Sequence, residues 1–335
     1  MIHARGLRRS FRTRTGTVEA VRGVDLDVEP GELVGFLGPN GAGKTTTLRM
    51  LTTLLEPTDG TATVAGCDLR TDPVGVRRQI GYVAQSGGSS PECKVIEEME
   101  LQGRFYGLTS EQARARSAEL TARMDLAGLD QRLIKTLSGG QRRRLDIALG
   151  LVHDPKLVFL DEPTAALDPQ SRANLWTHIK AMHREHNTTV FLTTHYLDEA
   201  DALCDRILVI DNGKIVAQGA PDELKAGLAG DLVTFSVPVT DGARAGEIAA
   251  RLPEVSEADV DGGTVRFRAP RGDVLLPDLV RAIDAAAIPL TSMSVTRPTL
   301  DDVFLTLTGR SLRDAEMGAE AVGEATEDKE TADVA

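Results

Sequence analysis

The spacing of hydrophobic positions divides the first part of the chain into short strands and helices. Val24–Val28 alternates apolar and polar residues, as a half-buried strand does, whereas four later segments are almost entirely apolar. Segments of that kind are typical of strands buried on both faces of a parallel sheet. They are Leu33–Leu37, Leu157–Leu160, Thr189–Leu192 and Arg206–Ile210. Residues 48–55 and 96–128 repeat apolar positions at helical spacing, so the pattern predicts an α/β fold.

After about residue 230 the strands and helices follow a different order. Strands are predicted at 232–239, 255–260, 264–269 and 290–295, and helices at 243–252 and 273–287. The order β-α-β-β-α-β is that of a small α+β, ferredoxin-like domain, which we expect over residues 231–310. A short helix at Leu300–Leu305 follows the last strand. Residues 311–335 contain eight acidic and two basic residues, a composition that predicts a disordered acidic tail.

Composition restricts the partners and the compartment. The net charge of −12 argues against nucleic acid, or an anionic membrane surface, held by general charge. Residues 311–335 carry −6 of this charge, so the rest of the chain is only mildly acidic. No apolar run approaches the roughly 18–20 residues needed to span a bilayer. Cys67, Cys93 and Cys204 are far apart, which predicts unpaired thiols in a reduced cytoplasm.

A glycine-rich loop between a predicted strand and a predicted helix carries the first chemical signal. Gly38–Thr45 fits the pattern G-x-x-x-x-G-K-[ST]. In such a loop backbone amides surround the phosphates, the lysine bridges the β- and γ-phosphates, and the Thr hydroxyl ligates Mg²⁺. A glycine turn with a surface lysine is the alternative, which the flanking elements disfavour. The residues predicted to surround ATP are Gly38, Pro39, Asn40, Gly41, Ala42, Gly43, Lys44, Thr45 and Thr46.

Two carboxylates end the second buried strand. Asp161 and Glu162 follow Leu157–Leu160 directly. Alone, such a pair is usually a solvated turn. In a chain with a phosphate-binding loop, it predicts that Asp161 ligates Mg²⁺ and that Glu162 is the general base that polarises water against the γ-phosphate.

A second anion-binding helix start is predicted near Leu137–Gln141. Ser138, Gly139 and Gly140 precede a predicted helix at 142–152, whose N-terminus carries partial positive charge. One nucleotide does not need two such sites on one subunit. We therefore expect this segment to contact ATP held by a second subunit, so that ATP lies at a dimer interface. The adjacent Arg142–Arg144 run is assigned to that interface or to the surface.

Over about residues 1–225 these motifs resemble the ATP-binding cassette (ABC) family. Gly38–Thr45 is similar to its Walker A motif, Leu157–Glu162 to its Walker B motif and Leu137–Gln141 to its signature motif. The resemblance implies a P-loop NTPase core with an antiparallel β subdomain and a helical subdomain at about residues 90–150. It also implies a homodimer or heterodimer of ATP-binding subunits.

The same resemblance implies roles for single residues. Gln85 would be the Q-loop residue that touches Mg²⁺ and couples to the membrane partner, and Asp168 would lie in the D-loop. His195 would be the switch histidine that senses the γ-phosphate. Phe11 matches the aromatic residue that stacks on adenine, although a lone Phe is as often a core residue. Lys44, Glu162 and His195 would be catalytic, and the metal ligands would be Thr45, Gln85 and Asp161. Ser138, Gly139, Gly140 and Gln141 would contact the nucleotide of the other subunit.

Two segments narrow the resemblance to ATP-binding subunits of the daunorubicin/doxorubicin-resistance type. These are Pro298–Gly309 and Gly103–Leu108. In that type a separately encoded permease supplies the transmembrane helices, which implies a motor at the cytoplasmic face of the cell membrane, with drug or antibiotic efflux favoured. Cys93–Val95 departs from the pattern where the permease would dock, so partner geometry and cargo stay open.

Three alternatives remain at this stage. A soluble cassette ATPase acting on ribosomes or DNA is one, but such relatives carry two cassettes or long coiled coils, and this chain has one cassette and no heptad run. The small domain could instead be a metabolite sensor, although residues 232–309 contain no ligand motif. The Leu300–Leu307 helix could simply pack against the small domain.

Overall fold

The structure is a computed structural model that describes residues 1–13, 16–227, 230–309 and 311. The predicted acidic tail therefore lies outside the described residues, except for Ser311. The described chain forms two units, Met1–Ala220 and Pro221–Ser311. Across these residues, no helix has both the length and the hydrophobicity that crossing a bilayer requires.

The first unit combines two sheets with seven described helices. Its strands are β1 (Ile2–Thr13), β2 (Gly16–Val28), β3 (Leu33–Leu37), β4 (Asp59–Val64), β5 (Cys67–Asp68), β6 (Ile80–Val83), β7 (Leu157–Asp161), β8 (Thr189–Thr194), β9 (Arg206–Asp211) and β10 (Lys214–Gly219). Its helices are α1 (Lys44–Leu51), α2 (Pro73–Gln79), α3 (Val95–Phe105), α4 (Ser110–Arg123), α5 (Gly139–Leu151), α6 (Pro169–His186) and α7 (Leu197–Leu203). The three cysteines are free thiols, as predicted.

The main sheet has six strands in the order β10-β9-β3-β8-β7-β6. All neighbours from β9 to β6 are parallel, and β10 pairs antiparallel with β9. Every residue of β3, β7 and β8 is buried, which confirms the prediction from their apolar runs. Because the carboxyl ends of parallel strands meet at one edge, the segments after β3, β7 and β8 lie together there.

A second, antiparallel sheet in the order β2-β1-β4-β5 packs against the same core. Ile2, Ala4 and Leu7 of β1 are buried in this core. The α/β core with an antiparallel β subdomain therefore has the predicted fold class.

Helix α5 begins earlier than predicted. The sequence placed its start at Arg142, but the helix begins at Gly139 with Ser138 as its N-cap. The Ser138 Oγ accepts a hydrogen bond from Gln141 N at 3.3 Å, and Gln141 Oε1 accepts one from Ser138 N at 3.0 Å. This capping box satisfies two amides of the first turn, so the helix includes both glycines.

The second unit forms one four-stranded sheet with helices. Its elements are α8 (Pro221–Ala226), β11 (Asp231–Ser236), α9 (Gly242–Ala250), β12 (Ser256–Asp261), β13 (Thr264–Ala269), α10 (Gly272–Ala285), β14 (Ser292–Thr296) and α11 (Leu300–Thr308). The sheet order β12-β13-β11-β14 is antiparallel throughout. With one helix after β11 and one after β13, this is the ferredoxin-like arrangement that the sequence predicted.

Helix α11 has capped ends and packs within the second unit. Thr299 is its N-cap and forms a capping box with Asp302, and Gly309 ends it with φ 75°. Leu300, Val303 and Phe304 are buried, and α11 packs against α8. These contacts favour the packing role that was one alternative for this helix.

Candidate nucleotide-binding and catalytic site

The loop between β3 and α1 is shaped by glycines. A Cβ at Gly38 would lie 2.2 Å from the backbone oxygen of Ile210, so a side chain does not fit there. Gly43, the N-cap of α1, has φ 105°, a left-handed conformation that favours glycine. The loop therefore closes tightly over the sheet edge and presents the N-terminal amides of α1, which form a natural phosphate site.

Lys44 is buried although it is charged, with 4% of its side chain exposed. Its Nζ donates hydrogen bonds to the backbone oxygens of Gly38 at 2.7 Å and Pro39 at 3.1 Å. It also lies 3.4 Å from Glu162 Oε1. The loop lysine and the carboxylate after β7 thus lie in contact.

Asp161 is held by two hydroxyl groups. Its Oδ1 accepts hydrogen bonds from Thr193 Oγ1 at 2.7 Å and from Thr45 Oγ1 at 3.1 Å. Thr193 was missed by the sequence analysis, because it is an ordinary residue of β8. Its hydroxyl also accepts a hydrogen bond from the Glu162 amide at 3.0 Å, so one side chain contacts the Asp161 carboxylate and the Glu162 backbone.

Glu162 occupies a conformation that few non-glycine residues adopt. Its φ is 44°, which carries a strain of roughly 1–3 kcal/mol. The Gln85 Nε2 donates a hydrogen bond to its Oε2 at 2.9 Å, and His195 Nδ1 lies 3.3 Å from its Oε1. The strained backbone therefore directs the carboxylate toward Lys44, Gln85 and His195.

The electrostatic surroundings keep Glu162 ionised. Burial acts to raise the pKa of its carboxyl group, but the nearby His195 and the charge of Lys44 outweigh it. The net result is a pKa below the usual value for glutamate. At neutral pH Glu162 is therefore a carboxylate that can accept a proton.

These residues surround a cavity of about 460 Å³. It is lined by Ala20, Asn40, Gly41, Gly43, Lys44, Thr45, Thr46, Gln85 and Glu162. Phe11 is not among the lining residues, and its ring on β1 lies 4.7 Å from the guanidinium carbon of Arg9. Its contact with adenine stays a prediction, as does metal ligation by Gln85, whose amide hydrogen-bonds to Glu162.

The signature residues lie away from this cavity. Ser138, Gly139, Gly140 and Gln141 form the start of α5 and do not line the cavity among the described residues. They lie instead beside the start of α6, where a Cβ at Gly140 would be 3.0 Å from Ser171 Oγ. Asp168 caps α6 by accepting hydrogen bonds from Ser171 N at 2.9 Å and Ser171 Oγ at 2.6 Å. The starts of α5 and α6 are therefore neighbours.

Arg143 was assigned to the surface or interface, and this was wrong. Only 7% of its side chain is exposed, and its guanidinium donates hydrogen bonds to backbone oxygens next to the site. The helix predicted at 142–152 already contained the signal that places Arg143 inward. Counted in that helix, Arg143 lies four residues before buried Ile147 and so shares its inward face.

The residues present fit a magnesium ion bound together with a nucleotide. Thr45 Oγ1 and Asp161 Oδ1 lie 3.1 Å apart and are the hard oxygen ligands that Mg²⁺ prefers. No cluster of three His, Cys, Asp or Glu able to hold a metal occurs in the described residues. Mg²⁺ that bridges nucleotide phosphates needs no such cluster, because one or two protein ligands suffice.

The glycine loop at the start of α1, the carboxylates at the end of β7 and the mainly parallel sheet together define a P-loop ATPase of the cassette class. The family described as ABC transporter matches residues 21–165. The family described as ATP-binding protein DrrA1-3-like, C-terminal domain, matches residues 219–308.

Two curated proteins show the likeness over almost the whole chain. The daunorubicin resistance ATP-binding protein DrrA3 of Streptomyces coeruleorubidus is 42% identical over 302 residues, which cover 90% of this chain and 94% of that protein. The doxorubicin resistance ATP-binding protein DrrA of Mycobacterium tuberculosis is 41% identical over 308 residues, which cover 90% of this chain and 92% of that protein.

Solved structures show the same fold for the cassette. The ATP-binding cassette MJ0796, in a dimeric post-hydrolysis state bound to ADP and Pi, is 26% identical with a TM-score of 0.61, covering 66% of this chain and 98% of that one. The structure of cbiO1 from Clostridium perfringens is also 26% identical, with a TM-score of 0.60 over 75% of this chain and 95% of that one.

This chain belongs to the ATP-binding subunits of ABC transporters, within the group of the daunorubicin/doxorubicin-resistance ATP-binding proteins. It binds and hydrolyses ATP to drive transport. ATP-binding subunits of this family dimerise and work with separate membrane components.

Proposed function

We propose that this chain is the motor of an exporter for drug-like or antibiotic-like amphiphiles, acting at the cytoplasmic face of the cell membrane on a separately encoded permease. The observation that carries the motor assignment is the contact of Glu162 with Lys44, Gln85 and His195 around one cavity. The relatives named for daunorubicin and doxorubicin resistance support the cargo class.

In the proposed mechanism, the amides at the start of α1 and Lys44 bind the phosphates of ATP. Lys44 Nζ exchanges its contacts with Gly38, Pro39 and Glu162 for phosphate oxygens. Glu162 then takes a proton from the water that attacks the γ-phosphorus, while the bond from that phosphorus to the β-phosphate oxygen breaks. Gln85 fixes the direction of the carboxylate through its bond to Oε2.

Mg²⁺ has a supporting part in this proposal. Thr45 and Asp161 would hold it, and when bound it would neutralise phosphate charge. His195, whose Nδ1 lies 3.3 Å from Glu162 Oε1, would sense the γ-phosphate.

The position of the signature residues supports two shared sites per dimer. Ser138 and Gly140 lie at the start of α5, outside the cavity that holds Lys44. The nucleotide that they contact would therefore be bound by a second subunit. A symmetric pair of subunits supplies this, because each would place its α5 start over the ATP of the other.

A groove in the first unit supports the docking of a permease segment. It has a volume of about 230 Å³ and is bounded by β6 with the residues that follow it, α3 and α5. Glu98 and Asp146 line it, and Leu101 and Phe105 are exposed on α3 beside it. Apolar side chains next to acidic ones suit an amphipathic helix that carries a basic residue.

Co-expression with a multi-span membrane protein encoded beside it tests the exporter proposal. We expect the chain to move to the membrane fraction, and cells to accumulate less daunorubicin, in an ATP-dependent way. The membrane protein expressed alone is the control. Recovery of the chain with ribosomes and no membrane binding would instead favour a soluble cassette ATPase.

Mixing two inactive variants tests the shared sites. Lys44→Ala removes the loop lysine, and Ser138→Arg blocks the exposed start of α5. Each variant alone should be inactive, whereas a one-to-one mixture should recover activity of at most about a quarter of wild type, because half the dimers are mixed and each has one of two sites intact. Steady-state phosphate release measures this. Recovery absent from the mixture, with both variants folded and dimeric, would contradict shared sites.

A further inference from the structure

One buried side chain joins three segments of the first unit. The Arg143 guanidinium donates hydrogen bonds to the backbone oxygens of Ala84 at 2.6 Å, Pro163 at 2.7 Å and Asp161 at 2.9 Å. Longer bonds of 3.4 Å and 3.3 Å reach the oxygens of Gln85 and Glu162. Helix α5 is therefore bonded to the backbone on both sides of the catalytic carboxylate and to the segment that carries the glutamine.

These contacts depend on the shape of the guanidinium. It is planar and has five N–H groups that can reach carbonyl oxygens in different directions, whereas a lysine ammonium has three donors on one atom. Burial lowers the pKa of Arg143, and nearby Asp146 and Asp161 partly offset this effect. The charge is therefore held in place by acidic neighbours and by backbone oxygens.

Asp146 lies one turn further along α5 and contacts the far end of the segment that carries Gln85. Its Oδ1 accepts a hydrogen bond from the Gly88 amide at 3.5 Å. A Cβ at Gly87 would lie 2.6 Å from its Oδ2, so the loop backbone lies directly against this carboxylate. Helix α5 therefore holds the Ala84–Gly88 segment at both ends.

We propose that Arg143 is a positioning residue that couples the start of α5 to Glu162 and Gln85 of the same subunit. This inference rests on the proposed function, in which the start of α5 contacts the ATP of the partner subunit. A nucleotide bound at α5 then stabilises the position of Arg143, and Arg143 holds Glu162 over the other nucleotide. Arg143 of each subunit therefore connects the two ATP sites of the dimer.

The test is Arg143→Lys, with Arg143→Gln as a second variant that removes the charge of this side chain. Both should lower kcat by roughly 10- to 100-fold, because the carboxylate is no longer held in its attacking geometry. The KM for ATP should change less than about threefold, since Lys44 and the glycine loop still bind the phosphates. Arg78→Lys, on the exposed face of α2, is the matched control and should retain wild-type turnover.

A double-mutant comparison separates positioning from general stability. In a Glu162→Gln background the Arg143 variants should cause no further loss of the residual single-turnover rate, because Arg143 acts through Glu162. A further tenfold loss there, wild-type turnover in the single variants, or a loss that disappears after correction for the folded fraction would overturn the proposal. If Glu162→Gln itself hydrolysed ATP at the wild-type rate, the proposed mechanism would fail instead.

Discussion

Replacing Glu162 by Gln is expected to abolish ATP hydrolysis while ATP binding persists. Glutamine has the same shape, so its oxygen can still accept the hydrogen bond that Gln85 donates at 2.9 Å. It cannot take a proton from water, however, and removal of a general base costs roughly 100-fold or more in rate. We therefore expect single-turnover hydrolysis to fall by at least that factor, with nucleotide affinity within a few-fold of wild type.

The same variant should accumulate as a closed dimer when ATP is added. Since ATP at the interface is no longer consumed, the dimer has no route to open by hydrolysis. Size-exclusion chromatography with ATP should show a dimer peak that wild type, after turnover, does not retain. Glu185→Gln, an exposed glutamate of α6, is the control and should behave as wild type. Hydrolysis by Glu162→Gln at the wild-type rate would remove Glu162 from the role of base.

The features that the sequence predicted well are local ones. The glycine loop is contiguous in sequence, and Asp161 and Glu162 directly follow an apolar run, so each could be recognised without knowledge of the rest of the fold. Parallel strands then bring such segments together at one edge of the sheet. The meeting of Lys44 and Glu162 at 3.4 Å follows from that rule.

The features that the sequence could not predict depend on contacts between distant residues. Thr193 of β8 bonds the Asp161 carboxylate and the Glu162 amide, yet a threonine in a buried strand has no local signal. Arg143 lies in a run of three arginines, and its bonds go to the backbone of segments distant in sequence, at Ala84, Asp161 and Pro163. The predicted start at Arg142 missed the capping box that Ser138 forms with Gln141.

Replacing Lys44 by Ala is expected to abolish ATP binding, which is a different defect from that of Glu162→Gln. Lys44 is the buried cation of the cavity, and its hydrogen bonds to Gly38 and Pro39 hold its ammonium group at the glycine loop. Loss of one partner from a buried, hydrogen-bonded charge pair costs about 2–5 kcal/mol, which corresponds to roughly 30- to 5,000-fold in affinity. Isothermal titration with a non-hydrolysable ATP analogue and Mg²⁺ measures this directly.

A control variant and a double variant distinguish the loss of ATP binding from the loss of ATP hydrolysis at this site. Lys156→Ala, an exposed lysine of the same unit, is the matched control and should bind the analogue as wild type does. In the double variant Lys44→Ala with Glu162→Gln, the closed dimer should disappear, because a dimer that closes on ATP cannot form without bound nucleotide. A closed dimer that persisted in the double variant would mean that dimerisation does not depend on ATP held by Lys44. ATP at the interface would then not be what closes the two subunits.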